Sequence, residues 1–269
     1  MKIYYSNMAS QKSKLFPPIG VLISYFGLKK IKLPKFCNSL FLDSGAFSSW
    51  RLKKDISLKF YIDFLHQNKK LIDVYCSLDN ILSFQKSLDN FKEMRKEGLE
   101  PLPCFHYGEP HFILEYYLQH TSYVALGGIA KKNKKERIWW LDEIFNRYPN
   151  VNYHGFGIQD RDILNRYPWY SVDSSSAHVM ARFGGICTPW GDFKINPEVK
   201  KENLSWITPK IEQIIKEWVI SLGVNYSLAK GNNGLGTELR CLINIFYYES
   251  LSQKKDFKKE FRKKGFLIN

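Results

Sequence analysis

The sequence predicts an α/β fold, a (β/α)8 barrel of the TIM type, and three observations predict it. Short apolar runs alternate with amphipathic helical patterns, and this strand-then-helix unit recurs at least five times. The C-terminal ends of many of the runs carry Asp43, Asp79, His106, the pair Gly127 and Gly128, His154 or Asp173. A barrel gathers such ends on one face, where a site draws on several strands. The chain has 269 residues, 44% of them hydrophobic, which suffices for a large barrel core. An open doubly wound sheet is the alternative. Against it, no GxGxxG or GxxxxGK[ST] pattern follows any strand.

Taken in order, the expected strands are IYYS (3–6), VLISYF (21–26), LFLD (40–43), DVYCSLD (73–79), LPCFHY (102–107), YVALGG (123–128), NYHGFG (152–157) and WYSVDS (169–174). They are short and rich in β-branched and aromatic residues, as buried parallel strands are. Residues 58–70 carry apolar positions at helical spacing and end in lysines, which suit a helix C-terminus. Residues 81–98 form a helical pattern that stops at Gly98, with Pro101 beyond. Further helices are expected over 110–120, 134–149 and 161–167. Beyond residue 197 the alternation ends. Residues 202–223 read as one helix stopped by Gly223, 225–240 as a Gly/Asn-rich loop leading into a helix, and 252–266 as a basic run. The basic run suits a solvated terminal helix or a nucleic-acid contact. No linker is visible. The expected division is a catalytic barrel core over 1–197 and a helical, basic segment over 198–269 that completes or packs on it.

The formal charge of +14 and pI near 9.4 point to a polyanionic partner, most often nucleic acid; solubility charge is the plainer alternative. Cys37, Cys76, Cys104, Cys187 and Cys241 are widely spaced, with no CxxC or CxC pair. Neither a zinc knuckle nor a disulfide framework is indicated, and Cys76 and Cys104 sit in apolar runs as small core residues. The N-terminal residues lack a signal peptide's apolar core, and no apolar stretch is long enough to span a membrane. A reducing, cytoplasmic setting without membrane contact is expected.

Asp43 stands in LFLDSGAF (40–47) and Asp173 in YSVDSSS (170–176). Alone, each could cap a following helix. A barrel, however, would set both at one mouth with Asp79, and three carboxylates together repel unless they have partners or a task. Two facing carboxylates equip a site for glycosidic-bond chemistry. One attacks or stabilises the anomeric carbon and the other moves the proton of the leaving group.

LDSGAF, SLD, GGIA, HGFG and SVDS, in this order on successive strands, resemble the tRNA-guanine transglycosylase superfamily. More particularly they are similar to its shorter, phage-type branch, the 7-deazaguanine DNA transglycosylases, across residues 38–190. The resemblance implies a (β/α)8 barrel that replaces guanine in a nucleic acid by a 7-deazaguanine base without a cofactor, acting in the host cytoplasm if phage-encoded. It implies that Asp173 is the nucleophile at C1′ and Asp43 the general acid/base. Phe47 would stack on the base, and Asp79 would accept from the purine N1–H and exocyclic amine, two donors facing two acceptors. Gly127 and Gly128 would let the backbone approach the base. Ile129 would pack beside the ring, and Ser44 would add a hydrogen bond to it. Where tRNA enzymes place a glutamine for base recognition this chain has CFHYGE, so His106 or Tyr107 takes that role, or His106 is a core residue. His154 orients a carboxylate or supports packing. Trp169 and Tyr170 suit the core better than a stacking platform. Lys131 and Lys132, with Lys134 and Lys135, suit phosphate contact or a solvated charge run.

The tRNA enzymes also carry a C-x-C-x2-C…H zinc site, which this sequence lacks. No metal is therefore expected, and DNA is favoured over tRNA as partner, with guanine or a 7-deazaguanine as the exchanged base. Three alternatives stand beside this reading: a tRNA-guanine transglycosylase, a DNA glycosidase that admits water in place of the second base, and a non-catalytic nucleic-acid-binding barrel. A duplex target would need its base flipped out.

Overall fold

A computed structural model describes residues 1–11, 13–196, 205–206 and 208–253. The chain divides into two compact units, one of Met1–Gln11 and Pro18–Ser174, the other of Lys12–Pro17 and Ser175–Asn269.

The first unit is the expected α/β barrel. Its strands are β1 (Lys2–Tyr5), β2 (Ile19–Ser24), β3 (Cys37–Asp43), β4 (Val74–Tyr75), β5 (Cys104–His106), β6 (Tyr123–Gly127), β7 (Asn152–Gly155) and β8 (Ser171–Ser174). They form one eight-stranded sheet in the order β4-β3-β2-β1-β8-β7-β6-β5, and every pairing is parallel. Its two edges meet at a parallel bridge between Cys76 and Leu102. There Leu102 N donates to Tyr75 O and Ser77 N to Leu102 O, both at 2.8 Å, and the ring closes. The expected strand over 73–79 is thus a two-residue ladder plus this bridge.

Helices follow the strands from β3 onward: α1 (Ala46–Leu52) and α2 (Leu58–Asn68) after β3, α3 (Phe84–Lys96) after β4, α4 (His111–Leu118) after β5, α5 (Lys134–Arg147) after β6 and α6 (Arg161–Arg166) after β7. Local chemistry sets their starts. Ser57, Ser83 and Asp160 cap α2, α3 and α6 through their side chains, and Asn133 with Glu136 forms a capping box on α5. On α3, Leu88, Phe91 and Met94 make the buried face. Inside the ring, Tyr4, Leu22, Phe41, Cys76, Leu102, Cys104 and Ala125 form one apolar cluster drawn from β1 round to β6. The β7 and β8 sector differs: there His154 and Ser171, register partners, are both fully buried.

The second unit holds α7 (Ser176–Arg182), β9 (Gly185–Thr188), β10 (Gly191–Lys194), β11 (Ser205–Trp206), α8 (Pro209–Ser221), α9 (Tyr226–Ala229) and α10 (Gly234–Ser252). Strands β9 to β11 make a small mixed sheet in the order β11-β10-β9. The division therefore falls after Ser174 and not at residue 197. The reason lies in α10. Asn244 accepts from Cys187 N at 2.6 Å and donates to Ala177 O at 3.0 Å, and buried Arg240 donates to the carbonyls of Ala181, Ala229 and Gly231. Residues 175–194 thus share a core with α10. The helix expected over 202–223 begins only at Pro209, because Thr208 caps it and Ser205–Trp206 pair as a strand. The basic run expected over 252–266 lies outside the described residues from 254 onward. Among the described residues no helix is long and apolar enough to cross a membrane.

Candidate active site at the barrel mouth

Asp43 ends β3, Asp79 follows β4, His106 ends β5, Gly127 ends β6 and Asp173 lies in the last turn of β8. The parallel sheet places all of them at its C-terminal rim. Both strand-end aspartates do something other than cap a helix. Asp43 Oδ2 accepts from Gly45 N at 3.1 Å, yet the N-cap of α1 is Gly45 itself. Gly45 is left-handed (φ +80°), and a Cβ there would lie 2.4 Å from that of Phe26. Glycine is required at this turn on both counts. Asp173 Oδ1 accepts from Gly157 N at 2.6 Å.

The environment shifts Asp43. Burial pushes Asp43 up, the negative charges of Asp79 and Asp173 push it further, and the backbone N–H groups of Gly45 and Ser44 only partly offset them; its pKa rises to about 7. Asp43 therefore titrates at neutral pH beside a second carboxylate.

Asp79 and His106 form the neighbouring half of the site. Ser44, fully buried, donates to Asp79 Oδ1 at 2.8 Å, so its hydroxyl orients Asp79 and is already committed. His106 Nε2 lies 3.1 Å from Asp79 Oδ2, and Nδ1 lies 3.2 Å from Glu109 Oε1. Glu109 also accepts from His106 N at 3.0 Å. Burial would lower the His106 pKa, but the Cys104 sulfur and the bonds to Asp79 and Glu109 outweigh it and hold it well above its usual value. Burial pushes the Cys104 thiol up to about 11, so at neutral pH the two carboxylates are what stabilise the imidazolium. Both ring nitrogens of His106 are thus satisfied by carboxylates.

The remaining expected residues fall as follows. Phe47 is 52% exposed, with the Trp50 ring 5.8 Å away. Ile129 is buried. A Cβ on Gly127 would meet Cys104 Sγ at 2.9 Å and His106 Cδ2 at 3.0 Å, and one on left-handed Gly128 would meet Tyr107 N at 3.0 Å. The space beside both glycines is therefore filled by β5 residues, which is the nearer reason for glycine here. Lys131 Nζ sits 5.4 Å from the Trp50 ring centroid, and Lys132 Nζ 4.4 Å from that of Tyr107. Lys134 is paired with Asp160 and Asp162. Trp169 is buried and donates to Ile163 O at 3.1 Å, while Tyr170 is 40% exposed.

Glu109 is not among the residues expected at the site. Its only signal is position, three residues past His106 across the tight turn at Gly108 (φ +88°). Asp79, Cys104 and His106 also each offer one ligand atom, all within 4.8 Å of one another. A thiol, an imidazole and a carboxylate are ligands of the zinc type. An ion there would have to displace the thiol proton and break the bond between His106 and Asp79. The set is already satisfied as a protonated network.

No protein-family model matches the chain, and no curated protein matches it.

Proposed function

We propose that the protein is a nucleic-acid base-exchange glycosyltransferase that replaces guanine in DNA by a 7-deazaguanine of the 7-cyano or 7-aminomethyl type. The observation that carries this reading is the pairing of Asp43, raised to about 7, with Asp173 at one barrel mouth. A carboxyl raised to about 7 suits a general acid/base, and a second carboxyl at the same mouth suits the nucleophile. Asp173 attacks C1′ through a carboxylate oxygen as the C1′–N9 bond breaks. The bonding electrons leave with the purine, and Asp43 supplies its proton. The sugar is then held as an ester of Asp173. The incoming base gives its N9 proton to Asp43 and attacks C1′; the ester C–O bond breaks and its electrons return to the carboxylate.

Asp79 and His106 support guanine as the base class. Each Asp79 oxygen keeps a lone pair to accept from N1–H or the exocyclic amine, while His106, whose two N–H groups face Asp79 and Glu109, holds Asp79 in place. The net charge of +14 supports a nucleic-acid substrate. Exposed Phe47, beside Trp50, suits stacking on a base taken out of the helix.

The test is labelled-guanine exchange on double-stranded DNA, single-stranded DNA and tRNA in parallel, with Asp173→Asn as control. Label entering DNA and lost in the variant is the expected result. Label entering tRNA alone would move the target to RNA. Abasic product without label would make the protein a glycosidase, and binding with neither product would make it a binding barrel.

A further inference from the structure

Behind Asp173 lies a buried polar chain in the otherwise apolar ring. Tyr123 Oη lies 2.6 Å from Ser171 Oγ, and Ser171 Oγ lies 2.8 Å from His154 Nδ1. His154 is fully buried, stacked on Phe41 at 4.5 Å and edge-on to Phe156 at 4.7 Å. Its other nitrogen, Nε2, is buried with no hydrogen-bond partner and stands 3.7 Å from Asp173 Oδ1. That distance is too long for a hydrogen bond and short enough for one to form with a small shift.

The chain decides where the imidazole carries its proton. Burial keeps His154 neutral, against the opposing pull of Asp173, and burial also keeps the Tyr123 phenol protonated. If Tyr123 donates to Ser171 and Ser171 donates to Nδ1, the ring proton sits on Nε2 and points at Asp173. The reverse order would aim a bare lone pair at a carboxylate inside the barrel, where nothing screens the repulsion.

We propose that His154 is a positioning residue for Asp173, its tautomer fixed by Ser171 and Tyr123. The inference rests on the transglycosylase reading for its catalytic meaning and deepens it. Gly157 N–H and His154 Nε2–H together hold Oδ1, which leaves Oδ2 to attack C1′. In the ester, Oδ1 is the carbonyl oxygen and keeps both donors. When the ester breaks, charge returns to a carboxylate already facing two N–H groups, which speeds the second half-reaction as well.

The test compares two amides. Gln at position 154 can place an N–H where Nε2 stands; Asn can bond Ser171 but cannot reach Asp173. His154→Asn should slow formation of the covalent adduct on the order of 10²-fold, the cost of one donor removed from the reacting carboxylate. His154→Gln should recover most of that, with DNA affinity unchanged in both. Equal losses in the two variants, or none, would overturn the inference while wild-type exchange upheld the function. If wild-type protein formed no adduct, the transglycosylase reading would fall but the positioning claim would still be testable. Nitrogen-15 shifts of His154 should place the proton on Nε2, and a proton on Nδ1 would overturn the inference.

Discussion

Two histidines stand at the rim and interior of the same barrel, and each faces an aspartate. His106, on β5, has a carboxylate on each ring nitrogen and is held as a cation. His154, on β7, has a serine on one nitrogen and nothing bonded to the other, and burial holds it neutral. The residue type is the same, and each lies at or next to the C-terminal end of its strand. What differs is the number of carboxylates within bonding distance. An imidazole bracketed by two anions gains more from its charge than burial takes away; one facing a single anion across 3.7 Å does not. The β4–β5 side of the mouth thereby carries a charged imidazole between two carboxylates. The β7–β8 side carries a neutral one beside Asp173.

The contrast can be broken at several points. The largest effect is expected from Asp173→Asn, on the nucleophile side. Adduct formation and exchange should fall by about 10⁴-fold or more, with oligonucleotide binding retained, as gel-resolved adducts and binding titrations would show. Retained exchange would place the covalent chemistry elsewhere.

Asp43→Asn comes next, with a loss of about 10²- to 10⁴-fold in guanine release. It also carries a pH signature. In the wild type the single-turnover rate of guanine release should fall as pH rises through about 7, because the donating proton is lost. The sign for stability runs the same way. The folded-state pKa lies above the unfolded one, so Asp43 favours folding at low pH, and that contribution disappears as pH climbs from the ordinary carboxyl range to about 7. The melting temperature of Asp43→Asn, relative to wild type, should therefore be higher at pH 8 than at pH 4.

His106→Leu sharpens the other side. KM for the incoming base should rise about 10- to 100-fold, with kcat less affected, since Asp79 loses the charged donor that holds it toward the base. A fall in kcat at unchanged KM would instead make His106 part of the chemical step. The smallest effects belong to Lys131→Ala and Lys132→Ala. Each should reduce the slope of log affinity against log salt by about 1 if the residue meets a phosphate. An unchanged slope would leave them as partners of Trp50 and Tyr107 alone.

Much of this was legible in the sequence. Each of the eight parallel strands overlaps a run that composition and periodicity single out, because a barrel strand is buried on both faces and short, although β1, β2 and β3 begin one to three residues before theirs. Capping serines, Asp160 and the Asn133–Glu136 box mark helix starts through local bonds, so the helices they cap fall within a few residues of expectation, whereas α1, which starts at Gly45 without a side-chain cap, is not among those expected. The rim positions of Asp43, Asp79, His106 and Asp173 follow from strand ends alone. By itself, then, the sequence determined an α/β barrel with carboxylates at its mouth, since strand length, helix caps and the polar residue that ends a strand are local properties.

Only the tertiary structure decided the rest. It assigned residues 175–194 to the second unit, because Arg240 and Asn244 reach back from α10 to bond them. It committed Ser44 to Asp79, filled the space beside Gly127 with Cys104 and His106, and brought Glu109 onto His106. It also raised the Asp43 carboxyl to about 7, favoured the charged form of His106 and held His154 neutral. Those choices depend on charges and burial contributed by strands far apart in the chain, and proton affinity is set by what surrounds a group in space, to which sequence spacing is blind.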